Sequence, residues 1–216
     1  DVYKRQEGAD EYEFKAFPSV DITWRDRVFL NVRQGLGAYF YRGDKLRLGA
    51  SVGYTFGRDE DDSADLDGLG DIDDGATANL LARWKVGKVS LDARYEQQIT
   101  GADTGAQILA SLGYGHRLGP TMLRPALMAT WASDAYMEDY FGISPSQAAS
   151  SGLPTHTAEA GLKSVGARLM IVHPLGRGWG LTLLANYHRL LGDAADSPLV
   201  KDENQYFTAL GIAYTF

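Results

Sequence analysis

The chain has 216 residues, no cysteine and a net charge of −7. That length suits one domain. The missing thiols exclude disulfides and thiolate metal sites, and no basic stripe is present to take nucleic acid as a partner. Glycine contributes 25 residues and aromatics 24, half of them tyrosine, a mixture suited to pleated surfaces and membrane interfaces. The mean hydropathy of −0.24 resembles that of a water-soluble chain, and no apolar run nears the ~18 residues of a membrane helix. A transmembrane β-barrel reads the same way, because only alternate residues meet lipid.

In chain order, Asp1–Gln6 comes first and reads as the translation of a transposon-end adapter used in sequencing libraries. It is set apart from the domain, which runs over 7–216, and the signal peptide and first strand are expected to precede this start. Weak alternation marks strands at Tyr12–Trp24 and Val28–Tyr41. A clean strand follows at Leu46–Phe56, with Leu46, Leu48, Ala50, Val52, Tyr54 and Phe56 on one face. Arg47, Gly49, Ser51, Gly53 and Thr55 take the other face, where the small Gly49, Ser51, Gly53 and Thr55 are expected to leave some room.

The loop Arg58–Asp74 holds nine carboxylates against one arginine, so its net −8 exceeds that of the whole chain. Asp65, Asp67, Asp71 and Asp74 approximate a calcium-loop spacing. The pattern departs at Ser63 and at Asp74, where glutamate is usual, and no helix pair flanks it. A solvated acidic loop is the preferred reading.

Two further clean strands, Ala76–Val86 and Val89–Ile99, set Arg83 and Lys85, then Asp92, Arg94 and Glu96, on the polar face. These five are the candidate lumen-lining residues. Each clean strand spans 11 residues, matching the ~9–11 that cross a bilayer at a tilt, and each carries an aromatic near the end of its apolar face. Ala106–Arg117, Met122–Ser133, Val165–Pro174, Leu181–Leu191 and Gln205–Phe216 complete ten segments. Within the long link 135–164, Ser144 is a good N-cap, Pro145 suits the first helical position and Gln147 completes a capping box. Gly152 stops that short helix.

Connections alternate between tight and long, as short periplasmic turns and long external loops do in a barrel. With Phe216 at the periplasmic side, every long loop from residue 57 onward falls outside. Upstream the rhythm breaks, because the tight link Arg25–Asp26 would be external. Either Val28–Tyr41 is broken near Gln34–Gly35, or the strand count is off by one.

His116, His156, His173 and His188 lie in separate segments without ligand spacing, with His116 and His173 near the periplasmic boundary and His188 near the external rim. No G-x-S-x-G elbow occurs. No catalytic residue, metal ligand or cofactor site is assigned. The expected fold is an all-β antiparallel transmembrane barrel of about 10–12 strands with long external loops, N-terminally truncated and therefore showing an open seam.

Several long motifs give the chain a family resemblance. They are YFGISPSQAASSGLP at 140–154, AGLKSVG at 160–166, RLLGDAADSPLV at 189–200, YTFGRDEDDSADLDGLGDIDD at 54–74 and the terminal GIAYTF. The opening EGADEYEF at 7–14 looks like a first external loop. On these motifs the chain resembles the MipA/OmpV outer-membrane proteins over essentially Glu7 to Phe216. The family's name comes from interaction with a lytic transglycosylase, MltA. The resemblance therefore implies a non-enzymatic scaffold in the outer membrane, amid lipid and lipopolysaccharide, linking murein hydrolase to murein synthase. The alternative is a small-solute pore or a surface-binding, adhesin-like barrel, which the charged face and large loops suit.

Overall fold

The computed structural model describes residues 2–4, 12–14, 21–32, 34–101 and 105–214. Alternation of apolar and polar residues turns nearly all of it into one antiparallel sheet. The first strands are β1 (Val2–Lys4), β2 (Tyr12–Phe14), β3 (Asp21–Trp24), β4 (Val28–Asn31), β5 (Gly35–Arg42) and β6 (Leu46–Thr55). Then follow β7 (Gly75–Val86), β8 (Val89–Gln98), β9 (Ala106–Tyr114), β10 (His116–Leu118) and β11 (Thr121–Ala132). The set closes with β12 (Gly161–Gly176), β13 (Trp179–Leu190) and β14 (Asn204–Tyr214). Neighbours in sequence are neighbours in space from β3 to β14, and β1 and β2 continue the order beyond β14. β10 continues β9 past a break at Gly115 and pairs with β11. Among the described residues no ladder joins the two ends, β2 and β3. The terminal Phe216, the adapter-like residues other than 2–4, and most of 7–14 lie outside the described residues.

The break in rhythm has a structural answer. Val28–Tyr41 is two strands, β4 and β5, folded back with Leu30 opposite Leu36. Asn31 anchors the turn by accepting from the Gln34 backbone N–H at 2.8 Å. The Arg25–Asp26 link therefore belongs to the same rim as the tight turns at 43–45, 87–88, 119–120 and 177–178. The three-residue turn 32–34 stands at the opposite rim with the long loops. Arg25 and Asp26 both adopt positive φ, 51° and 53°, which makes the primed turn whose twist matches a hairpin. Arg177 and Gly178 repeat it between β12 and β13, at 51° and 82°. At the opposite rim stand the long loops 56–74, 99–105, 133–160 and 191–203.

Exposure separates the two faces of the wall. Val52, Tyr54, Leu80, Leu127, Leu210 and Ile212 are all more than half exposed, an apolar band of the kind lipid covers. No helix is long and apolar enough to cross a membrane among the described residues, so any crossing is made by strands.

The most deeply buried large side chains are not in the wall. Phe141, Leu66, Met137, Ile143 and Leu190 lead the fully buried set, and only Leu190 belongs to a strand. The rest come from loops that carry helices α1 (Asp134–Phe141), α2 (Pro145–Ser151) and α3 (Gly192–Asp196) and two short 3-10 turns, Glu60–Asp62 and Ala64–Leu66. Helix α2 forms with the expected capping box at Ser144 and Gln147, and Gly152 ends it at φ 76°. One cluster joins Met137, Phe141, Ala158, Leu190 and Ala194. A second joins Leu66 and Leu69 of the acidic loop to Ile143 and Leu199.

Replacing Phe141 with alanine should cost the cap about 3–5 kcal/mol while leaving the strand ladders intact. Limited proteolysis of the refolded chain should then cut within 133–160 faster, with the folded-barrel band on a cold gel unchanged. Loss of that band would show that the cap and the wall fold as one unit.

Candidate functional site

The inner face of the curled sheet carries the charges. Arg83 on β7 sits directly opposite Asp92 on β8, and its Nε donates to the carboxylate. Arg94 and Glu96, two positions apart on β8, form a second pair at 3.2 Å with both side chains four-fifths buried. Arg83, Asp92 and Arg94 share a cavity of about 200 Å³ with Tyr39 on β5 and Arg168 on β12. Strands six steps apart in the sheet meet around it, so the wall curls about this point. Lys85 is exposed at the tight-turn rim opposite Ser90, away from that cavity. A space of this size holds only a handful of waters.

Toward the long loops the interior fills. Phe29 is 3% exposed and Leu81 6%, beside buried Thr77, Asn79 and Gln98. The sequence led us to expect room over the inward small residues Gly49, Ser51, Gly53 and Thr55, and two rings occupy much of it. A Cβ added to Gly37 would stand 2.5 Å from the Phe29 ring, and one added to Gly49 would stand 2.9 Å from Tyr39. The glycines leave the space that these rings occupy, with centroids 5.0 Å apart and planes tilted by 43°. Gly53 faces Thr77 and Asn79 just as closely. Phe29, Tyr39 and Arg168 escaped the sequence reading because they stand in weakly alternating segments.

Above this filling the loops lock together across the mouth. The Gln147 amide donates to the Leu69 carbonyl at 2.7 Å. The Ser197 hydroxyl donates to the Phe141 carbonyl at 2.6 Å, and Lys201 pairs with Asp65 at 3.3 Å. Arg58 is nine-tenths buried and reaches the Tyr140 carbonyl at 3.3 Å. Burial pulls its guanidinium below the usual arginine range, opposed by Tyr140 and Asp139.

The acidic loop spends its carboxylates on itself. Asp71 accepts from the Glu60 N–H, Asp59 from the Asp61 N–H and Glu60 from the Gly70 N–H, each at 2.9 Å. Asp74 accepts from the Tyr54 hydroxyl and, at 2.8 Å, from the Gly57 N–H. These bonds, Tyr54 first, hold the Asp74 carboxyl below the ordinary carboxylate range. Among the described residues no three acidic or imidazole side chains converge as a cation would need. The calcium-like spacing of Asp65, Asp67, Asp71 and Asp74 thus has no matching geometry. The histidines are dispersed too. His173 contacts the Thr121 hydroxyl at 2.8 Å, His156 meets the Asp193 carbonyl at 2.9 Å, His116 stacks beside Tyr114 and His188 faces Gly166 across the β12–β13 ladder.

A family model described as MltA-interacting protein MipA matches residues 2–216. Outer membrane protein Omp26La of Vibrio anguillarum is 24% identical over 181 residues, covering 81% of this chain and 67% of the relative. Outer membrane protein OmpV of Vibrio cholerae is 26% identical over 187 residues, covering 84% and 71%. Putative outer membrane protein YiaT of Escherichia coli K12 is 30% identical over 101 residues, covering 46% and 40%.

Two outcomes follow from this interior and its cap. Gly49→Val should drive a side chain into Tyr39 and destabilise the folded barrel by about 1–3 kcal/mol. A lower temperature of conversion from the folded to the unfolded gel band would register it, and an unchanged temperature would mean that the ring moves freely. Because the Asp74 carboxyl is held low, its bonds stabilise the loop base above the unfolded value and are lost only as pH falls through the lower folded one. Tyr54→Phe removes the largest cause, so the carboxyl titration followed by NMR should move up toward the ordinary ~3.9.

Proposed function

The chain belongs to the MipA family of outer-membrane β-barrels, and from that premise we propose a non-enzymatic scaffold linking a murein hydrolase to a murein synthase. The observation that carries this reading is the occupied interior. Phe29, Leu81, Asn79 and Thr77 are all buried beneath loops that interlock over the mouth. A barrel built to pass solutes keeps a water-filled lumen, whereas a body that holds partners needs only a stable wall with surface to offer. The family description supports a murein hydrolase of the MltA kind as one partner. The charged side chains satisfy one another, Arg83 with Asp92 and Arg94 with Glu96, as ladders inside narrow barrels do.

A second reading, a small-solute pore, draws on the cavity that Arg83, Asp92, Arg94 and Arg168 line. Outward-opening loops could then gate it. Surface binding by the external loops is the remaining member of that alternative.

Planar-bilayer conductance separates them. The refolded chain should give a silent bilayer and should retain purified lytic transglycosylase on a solid support. Discrete current steps that shift with Arg94→Gln or Glu96→Gln, together with no retention of the hydrolase, would overturn the scaffold.

A further inference from the structure

Along one row of the sheet three arginines stand side by side. Arg42 on β5 is directly opposite Arg47 on β6, and Arg47 is directly opposite Arg83 on β7. All three share the inward face with Gly49, and the next residue in the row is the acidic Asp92. Like charges directly opposite one another destabilise a ladder, so the row holds a standing repulsion. Asp92 relieves it at one end by accepting from the Arg83 Nε. That leaves the terminal nitrogens of the Arg83 guanidinium for another acceptor. Arg42 donates to the Arg25 and Asp26 carbonyls at 3.4 and 3.2 Å, which carry no net charge. Arg47 has no hydrogen bond or ion pair among the described residues.

The rest of the tight-turn half adds cations to the same face. Lys85 stands two positions beyond Arg83, and Arg117 and Arg124 share the inward face from β10 and β11, opposite Met122 and Met170. These three are exposed, as are Arg47 and Arg83, although all of them face inward. Water therefore reaches this half of the interior from the tight-turn rim. Deeper in, Arg168 on β12 is half-buried and diagonal to Arg124, and it lines the 200 Å³ cavity with Arg83 and Arg94. Arg168 too lacks a hydrogen bond or ion pair among the described residues. Beyond it, Phe29 and Leu81 fill the interior beneath the interlocked loops. Over β5 to β12 the inward carboxylates are Asp92 and Glu96, and Glu96 is taken by Arg94.

We propose that this half of the interior is a blind cationic cup that binds a small polyvalent oxyanion, held by Arg47, Arg83 and Arg168. A guanidinium fork matches phosphate and carboxylate oxygens alike. A cleft lined by one sign of charge and walled by protein also concentrates counter-ions. A polyvalent anion relieves the repulsion along Arg42, Arg47 and Arg83, whereas a monovalent one leaves most of it in place. The ligand enters from the tight-turn side, because the loops cover the other. Such a cup binds without conducting, so a loaded site is compatible with a silent bilayer.

The test is isothermal titration calorimetry of the refolded full chain in non-ionic detergent at low salt. Pyrophosphate and citrate are the probes, one for each kind of oxyanion, and the tighter of them names the source. Acetate at equal ionic strength should give no binding heat. Arg47→Gln and Arg168→Gln should each weaken binding about tenfold, the loss of one charge-assisted hydrogen bond. Arg189→Gln removes the same charge from the outward face, where Arg189 pairs with Glu203, and should change nothing. Thermal unfolding followed by circular dichroism separates binding from damage to the wall. Arg47→Gln should raise the unfolding temperature, since it removes the middle charge of the row. Pyrophosphate should raise the wild-type temperature and that of Arg47→Gln by less. No heat from either polyvalent probe would overturn the proposal, as would an equal response to acetate. So would an equal loss from Arg189→Gln, or full binding by both Arg47→Gln and Arg168→Gln. A lower unfolding temperature for Arg47→Gln would overturn it as well, because the arginine would then be holding the wall together.

Discussion

A chain that lies in lipid has no water to satisfy its peptide groups, so each N–H and C=O of the spanning segments must find a partner within the protein. That constraint sets the rest of the structure. It forces the strands into continuous ladders, with the eleven residue pairs of β13 and β14 as an example of a complete register from Trp179↔Tyr214 to Arg189↔Asn204. Once the ladder is fixed, period two assigns every side chain to lipid or to the interior. The outward set can then be apolar without a partner, because the bilayer covers it. The inward set is richer in polar and small residues, with Phe29, Tyr39 and Leu81 among the large side chains that fill the interior. The two largest clusters of buried apolar side chains therefore develop in and beside the loops.

The loops accordingly behave like a small globular domain laid over the mouth. Leu66 and Leu69 stand in the most acidic stretch of the chain, and they anchor that stretch by burial against Ile143 and Leu199. Its carboxylates accept from its own amides, which shapes the backbone into short 3-10 turns. Charge density makes the loop soluble, and two leucines make it ordered.

Alternation made the wall legible in sequence. The faces of Leu46–Phe56, Ala76–Val86 and Val89–Ile99 are found as read, since strict period two over 11 residues has one interpretation. The Ser144 capping box was equally explicit, because capping chemistry is local. What the sequence concealed were features with no local signature. The fold-back after Asn31 was half-hidden. The broken rhythm pointed to Gln34–Gly35 as one of two readings. With no Asn-Gly pair, and with Leu30, Val32 and Leu36 continuing the apolar spacing through it, nothing local chose between them. The inward glycines looked like open space, because a missing side chain says nothing about the ring from another strand that takes its place. The partners of Arg83 and Asp92 could be read from register. Arg168, on a strand far away in sequence, could not, because it joins them only once the sheet curls.

The same geometry constrains how a partner can be held. Barrels of this kind keep their short turns on the periplasmic side, and here those turns are only two or three residues long between ladders. A standard protein interface takes about 800 Å² from each partner, more than any one such turn presents. Docking on that side must therefore draw on several turns around the rim at once. Those turns carry Arg25, Arg27, Lys45, Lys88 and Arg177 along one rim, with aromatic neighbours such as Trp24, over whose face Arg25 lies at 4.5 Å. A cationic rim favours recognition by long-range charge over insertion of an apolar anchor, which sets orientation and encounter rate more than residence time.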